Sequence, residues 1–295
     1  FCELACPNNG KQNAAKVLVP QGMEAGGRVL TNARVEEVLV GDGRVTGVRG
    51  VAADPVTGRE GVEFVVRAEA VCLGASATGS AAILQQSDVP DPHHLAGTNL
   101  HLHPGATVLG IFDGPGNEPI RSWLGNPQSV ECTEYLEVGP DAEKRAWILP
   151  GAAHPAGAAM FMPGFGASHG EMMRKFPQTA AFIVMLHDHA SGRVRPGGGE
   201  QLNIHYRLDA AEYDQLAAGM KAAGELMLAA GASKTIIPTT PPVEASTRSQ
   251  LDGLCGDQLG ALNPPMAAVH PMSTLWMGDD PTASVVDPRG EHHHV

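Results

Sequence analysis

The sequence lacks an excess of positive charge. It carries 20 Lys and Arg against 32 Asp and Glu, a net charge of −12. Nucleic-acid binding rests on Lys and Arg neutralising phosphates, so that class of partner is excluded. No apolar run approaches the roughly 18 residues that span a bilayer as a helix, and no transmembrane segment is expected. Blocks of like charge and internal repeats are also missing. So are the signatures of several chemistries. No GxSxG, HExxH or EF-hand loop occurs, which leaves hydrolase and metalloprotease readings without an anchor. No Walker loop is present, and no GxGxxG stands between a strand and a helix near the start.

Cysteine is scarce and unpaired in pattern. Cys2, Cys6, Cys72, Cys132 and Cys255 form an odd, scattered set, which is not a disulfide framework and favours a reducing, cytoplasmic compartment. Cys2 and Cys6 lack the second pair that a zinc or iron–sulfur site requires, so they read as free or structural thiols. His187 and His189 have strand spacing, with both rings on one face, and read as structural. His292, His293 and His294 read as an exposed loop. No metal ligand is assigned. A metal-binding protein using Cys2 and Cys6 or these histidines remains an alternative.

The chain has 295 residues, 43% of them hydrophobic, enough for one large domain or two ordinary ones with a real core. From Arg28 to Leu73 the pattern is β. "RVLTNARVEEVLVGDGRVTGVRGV" alternates around Asp42-Gly43, a hairpin signal. A second turn at Asp54–Gly58 precedes "VEFVVRAEAVCLGAS", whose "AVCLG" reads as a strand buried on both faces. "SAAILQQS" reads as a short helix with Ser80 near its start. From about Thr107 to Lys234, "TVLGIF", "RAWILPG" and "AAFIVML" alternate with Gly/Pro loops such as "PGGGEQ" (Pro196 to Gln201), predicting an antiparallel sheet. One long helix opens at Asp209 and Glu212 with capping-box spacing. It carries Tyr213, Leu216, Met220, Ala223 and Met227 on a core-facing stripe and closes near Gly231. Pro238 to Pro265 has a loop or linker look.

Five stretches, taken in order, resemble the GMC (glucose–methanol–choline) oxidoreductases, FAD-dependent alcohol oxidases and dehydrogenases. They are "CPNNGKQNAA" (Cys6 to Ala15), "VLTNARVEEVLVGDGRVTGV" (Val29 to Val48), "ASATGSAAILQQSDV" (Ala75 to Val89), "GTNLHLHPG" (Gly97 to Gly105) and "HPMSTLWMG" (His270 to Gly278) followed by "SVVDPRGEHHHV". Each is modest; their order and spacing carry the resemblance over nearly the whole chain. The sequence departs from the family pattern at Ser76, Asp88 and Ser273, where glycine is usual, at Ala81 in place of proline and at Trp276 in place of arginine.

The resemblance implies an α/β fold with an α+β substrate domain. Residues 1–106 and 266–295 would form part of a Rossmann-like FAD-binding domain, and 107–265 a substrate domain with an antiparallel sheet flanked by helices. It implies FAD as cofactor and a small-molecule alcohol as substrate, oxidised to an aldehyde or ketone by hydride transfer to flavin N5. The electron acceptor is not specified. The pyrophosphate-binding GxGxxG is expected before Phe1 and the catalytic base beyond Val295, so the chain reads as an internal fragment and no catalytic residue is assigned within it. His270 is a candidate flavin-pocket residue or else a buried hydrogen-bonded histidine. Val35, Gly74, Ala75 and Ser76 match cofactor-binding positions: a strand backbone meets the adenine, and small residues permit close approach to the adenosine. The departures keep a second alternative open, a diverged non-catalytic binding or scaffold member of the same fold.

Overall fold

A computed structural model describes residues 6, 8–124, 130–139, 141–152, 154–189, 192–198 and 201–295. Cys2 and, in the "PGGGEQ" turn, Gly199 and Glu200 lie outside the described residues. The chain is a mixed α/β protein whose sheets are antiparallel, and it divides into two compact units. One, here the hairpin unit, comprises Asn13–Leu102, Ala190–Arg207 and His270–Val295; the other, the sheet unit, comprises Phe1–Gln12, His103–His189 and Leu208–Val269. Residues 190–207 join the hairpin unit although no change of composition marks them.

The hairpin unit opens with a short exposed helix, α1 (Leu18–Glu24), and a three-stranded meander of β1 (Ala33–Gly41), β2 (Arg44–Ala53) and β3 (Glu60–Arg67). Asp42 and Gly43 turn the first hairpin with φ of 53° and 72°. Positive φ at both central residues is what a two-residue turn matching strand twist requires. The predicted hairpin and its register, Gly41 opposite Arg44, are thus present. "AVCLG" differs from expectation: residues 70–74 form no strand, and Cys72 and Gly74 are exposed. A doubly buried strand is made by the neighbours that hydrogen-bond it, and no described strand pairs with this stretch. Helix α2 (Ser76–Gln86) begins ahead of Ser80. The Ser80 hydroxyl accepts from Ala75 N–H (3.1 Å) and donates to the Leu73 carbonyl (3.4 Å), tying down the entry loop from inside the helix.

In the sheet unit, β4 (Gly105–Ile111), β5 (Ala146–Gly151) and β6 (Thr179–Leu186) are the predicted apolar runs. Two small helices, α3 (Pro155–Ala158) and α4 (Ala167–Arg174), lie between β5 and β6. In the hairpin unit, β7 (Arg193–Pro196) pairs with β8 (Leu202–His205). The sheet unit then continues with the long helix α5 (Ala210–Ala229), β9 (Lys234–Ile237), β10 (Val243–Ala245) and β11 (Met266–Ala267). Strand order is β10-β9-β4-β6-β5, with β11 also on β4. Residues 238–265 are no linker. They hold β10 and two 3-10 turns, and Leu251 from one of these turns is fully buried.

Helix α5 has the predicted capping box: Asp209 accepts from Glu212 N–H and Glu212 accepts from Asp209 N–H, each at 2.9 Å. Its Leu216, Met220 and Ala223 pack against Val108, Ala146, Ile148 and Val184 of the sheet. The approach is close because Gly219 faces the sheet. A Cβ there would stand 2.5 Å from Ala146 Cβ and 2.7 Å from a Val184 methyl. Gly219→Ala is therefore expected to destabilise. Overpacking costs about 1–3 kcal/mol, against about 1 kcal/mol gained in helix propensity. Gly157→Ala in α3, where a Cβ meets open space, is expected to cause no loss. Urea midpoints decide; equal shifts for the two variants would remove the close-approach argument.

Candidate functional site

Three of the quoted stretches meet within the hairpin unit. The main chain of His101 exchanges two hydrogen bonds with Met272, at 3.2 and 3.0 Å. Gly97 N–H donates to the Thr274 carbonyl at 2.8 Å. The Thr274 side chain, 1% exposed, donates its hydroxyl to the carbonyl of Ala77 in the first turn of α2. So "HPMSTLWMG", "GTNLHLHPG" and "ASATGSAAILQQSDV" share one hydrogen-bonded junction.

Strain collects at the same junction. Ser76 has φ of +62° and Ser273 has φ of +70°, the left-handed region that favours glycine. These are two of the three positions where the resemblance expects glycine. The chain keeps the backbone shape that glycine would adopt and carries serine in it. Each serine adjoins a partner of the Thr274–Ala77 bond. Left-handed residues cluster at functional sites, where surrounding structure holds them in place.

Val35 is half-buried in β1, beside a register shift between Val35 and Glu37. Among the described residues β1 is an edge strand, and its Val38 N–H donates to Ser87 Oγ at 2.8 Å. Gly74, Ala75 and Ser76 are exposed at the start of α2, whose N-cap residue, Ala75, makes no side-chain cap. A Cβ on Gly74 would meet nothing within 4 Å, so this surface is open. His270 is exposed. Trp276 is 47% exposed. Asn99 Nδ2 is buried with no hydrogen-bond partner among the described residues, while its Oδ1 lies 3.3 Å from His101 Nε2. Uncapped helix N–H groups and small residues suit a group with anionic oxygens that lies close to the main chain. FAD is such a group, and the residues present fit it in kind.

Two cavities of the hairpin unit adjoin α2. One, of about 480 Å3, is lined by Val38, Leu73, Leu84, Leu275 and Val286. The other, of about 510 Å3, is lined by Gln85, Asp91, His94 and Arg195. His292 lines both. Burial holds the His292 pKa below its ordinary value, helped by the charges of His294 and His293 and opposed by Asp91.

Sequence reasoning missed a second constellation, in the sheet unit. Asp188 is buried and accepts from His103 twice, from its N–H at 3.1 Å and from Nδ1 at 2.8 Å. His187 lies edge-on to His103. His189 stands between Asp209 and Glu212 at 3.2 and 3.5 Å, and its N–H donates to the buried Glu212 at 2.8 Å. The pair His187 and His189 is thus split between two structural contacts. Only the repeated H-x-H spacing hinted at any of this. Among the described residues no group of three or more His, Cys, Asp or Glu is placed to hold a metal, and Cys72, Cys132 and Cys255 are in no disulfide.

Comparison with known proteins decides the family. Residues 1–105 and 188–295 match the N- and C-terminal GMC oxidoreductase families. The chain belongs to the GMC oxidoreductases. It is 32% identical over 295 residues to an uncharacterized GMC-type oxidoreductase of Mycobacterium tuberculosis, covering 98% of this chain and 43% of that protein. A Sinorhizobium fredii relative of the same description is 27% identical, covering 98% of this chain and 54% of its own length. A long-chain-alcohol oxidase of Arabidopsis thaliana is 24% identical over 242 residues, 79% of this chain and 32% of the plant protein. The chain thus spans about half, or less, of the curated relatives it matches. No helix among the described residues is long and apolar enough to cross a membrane.

Two outcomes are expected in this unit. A left-handed backbone costs an L-residue about 1–2 kcal/mol, and a glycine's extra unfolded freedom costs about 0.5–1 kcal/mol. Ser76→Gly and Ser273→Gly should therefore each gain up to about 1 kcal/mol in chemical denaturation; a loss at both positions would contradict the strain. For His292, the unfolded chain takes up its proton near pH 6.5, before the folded chain does. Its contribution is full above that pH and is lost as pH falls through it. Thermal melts from pH 7.5 to 5.5 should show this loss, and His292→Gln should flatten it; an unchanged slope would exclude His292 as its source.

Proposed function

We propose that the protein to which this chain belongs is an FAD-dependent oxidoreductase acting on CH–OH groups, converting an alcohol to an aldehyde or ketone. The junction around Thr274 carries this reading: it gathers three family stretches and keeps left-handed geometry where the family has glycine. The name of the plant relative supports an alcohol as substrate.

FAD, when bound, supplies the electron sink that accepts hydride at N5. This chain's residues bind and orient. Val35 would offer strand backbone to the adenine, and Gly74, Ala75 and Ser76 would let the cofactor lie close to the main chain. His270 would border the flavin pocket. Residues 1–106 and 266–295 would serve the cofactor and 107–265 the substrate.

Purified full-length protein is expected to release FAD on denaturation, and its flavin absorbance should bleach when an alcohol is added without oxygen. The 295-residue chain alone is expected to hold FAD weakly and to show no bleaching. Full-length protein that carries flavin but is not reduced by any aliphatic or aromatic alcohol would overturn the assignment to alcohols. Absence of flavin would overturn the cofactor.

A further inference from the structure

The cavity of about 510 Å3 in the hairpin unit lies at the C-terminal end of α2. Gly74, Ala75 and Ser76 stand at the other end of that helix, and at 1.5 Å per residue Ser76 and Gln85 are about 14 Å apart. The cavity's cation is held in position. Gln85 Nε2 donates to the Val194 carbonyl at 3.0 Å and the Ala81 carbonyl at 3.2 Å, which fixes its Oε1 to accept from Arg195 Nη1 at 3.0 Å. A guanidinium carries several N–H donors in a rigid fork, and this contact uses one of them. Among the described residues no carboxylate pairs with Arg195. Asp91 is the only carboxylate lining the cavity among the described residues, and both its oxygens are engaged, by Leu95 N–H at 2.9 Å and Ala96 N–H at 3.0 Å. The carbonyl end of α2 is answered by Ser87, whose hydroxyl donates to Ile83 at 2.6 Å and whose N–H donates to Leu84 at 3.1 Å. His294 N–H donates to His292 Nδ1 at 3.2 Å, which leaves the proton of that ring on Nε2. His94 adds a second imidazole to the lining.

The lining thus offers one positioned cation and imidazole donors, while its acceptors are already engaged. That inventory favours an anion. A guanidinium fork matches carboxylate and phosphate alike, and charge separates the two. A carboxylate brings a single negative charge to the single positive charge of Arg195. A phosphate brings up to about two, and the second would lose its hydration without a partner. Leu84, Val89 and Pro196 supply an apolar wall beside these donors. We propose that this cavity binds a small aliphatic carboxylate, with its oxygens on Arg195 and its alkyl part against Leu84, Val89 and Pro196. The site is separate from the positions matched to the cofactor. Its binding requires no flavin and does not depend on the alcohol reading.

Saturation-transfer NMR on the full-length protein tests it, with butyrate, butanamide, butylammonium and butyl phosphate as probes. Saturable binding of butyrate is expected, with butanamide and butylammonium at least tenfold weaker and butyl phosphate weaker than butyrate. Arg195 is exposed, so Arg195→Gln should leave the urea midpoint unchanged and lower butyrate binding at least tenfold. Arg195→Lys keeps the charge without the fork and should recover part of the binding. Arg193, exposed on the same strand and outside the cavity lining, serves as the control, and Arg193→Gln should bind butyrate in full. Excess FAD should not displace butyrate. No saturable butyrate signal, equal binding of butanamide, full binding by Arg195→Gln, or an equal loss in Arg193→Gln would each overturn the proposal. Tighter binding of butyl phosphate would refute the carboxylate, and displacement by FAD would return the cavity to the cofactor.

Discussion

The hydroxyl of Thr274 is the contact on which the candidate site depends. It bonds a carbonyl 197 residues away in sequence, at Ala77, and the main chain of the same residue takes the N–H of Gly97. A hydrogen bond between groups so distant in sequence forms only after a long loop has closed, and a buried one is expensive to leave unmade. Once it forms, the entry of α2, the stretch before β4 and the return segment near the end of the chain are fixed together. Each segment alone is a turn or a strand end of no particular chemistry.

The sheet unit shows another kind of constraint. Its order rests on small residues that let a helix lie close to a sheet, and on a carboxylate used twice. Glu212 completes the capping box of α5 and also accepts the N–H of His189, so the helix start and the end of β6 are held by one buried side chain. A capping residue without a tertiary partner would sit in water and contribute only to its own helix. Here burial makes both bonds mandatory, since an unpaired carboxylate cannot remain in the core.

The elements that were legible in the sequence are those set by local rules. The Asp42-Gly43 hairpin, the capping box at Asp209, the stripe on α5 and the three apolar strands all follow from turn chemistry and periodicity. "AVCLG" misleads because an apolar run tells what a segment can bury, and the neighbours decide whether it becomes a strand. Ser80 misleads in a related way: serine marks helix starts, yet here it reaches back from within the helix. The stretch 238–265 reads as a linker because its polar residues hide one decisive apolar side chain, Leu251. For the site, the order of the quoted stretches was enough to point to the family, whereas Asn99, Asp188 and Thr274 carry no signal in one sequence.

Composition and motif order by themselves determined the class of protein: acidic, without a membrane-spanning helix pattern, and patterned as a GMC oxidoreductase. Local pattern determined its hairpin and its capped helix. Tertiary structure alone decided which histidines meet a carboxylate, which serines are strained and where the quoted stretches converge. The physical reason is range. Turn and helix preferences act over a few neighbouring residues and are written in adjacent letters. Burial, backbone strain and buried hydrogen bonds come into being only when distant segments share the same space.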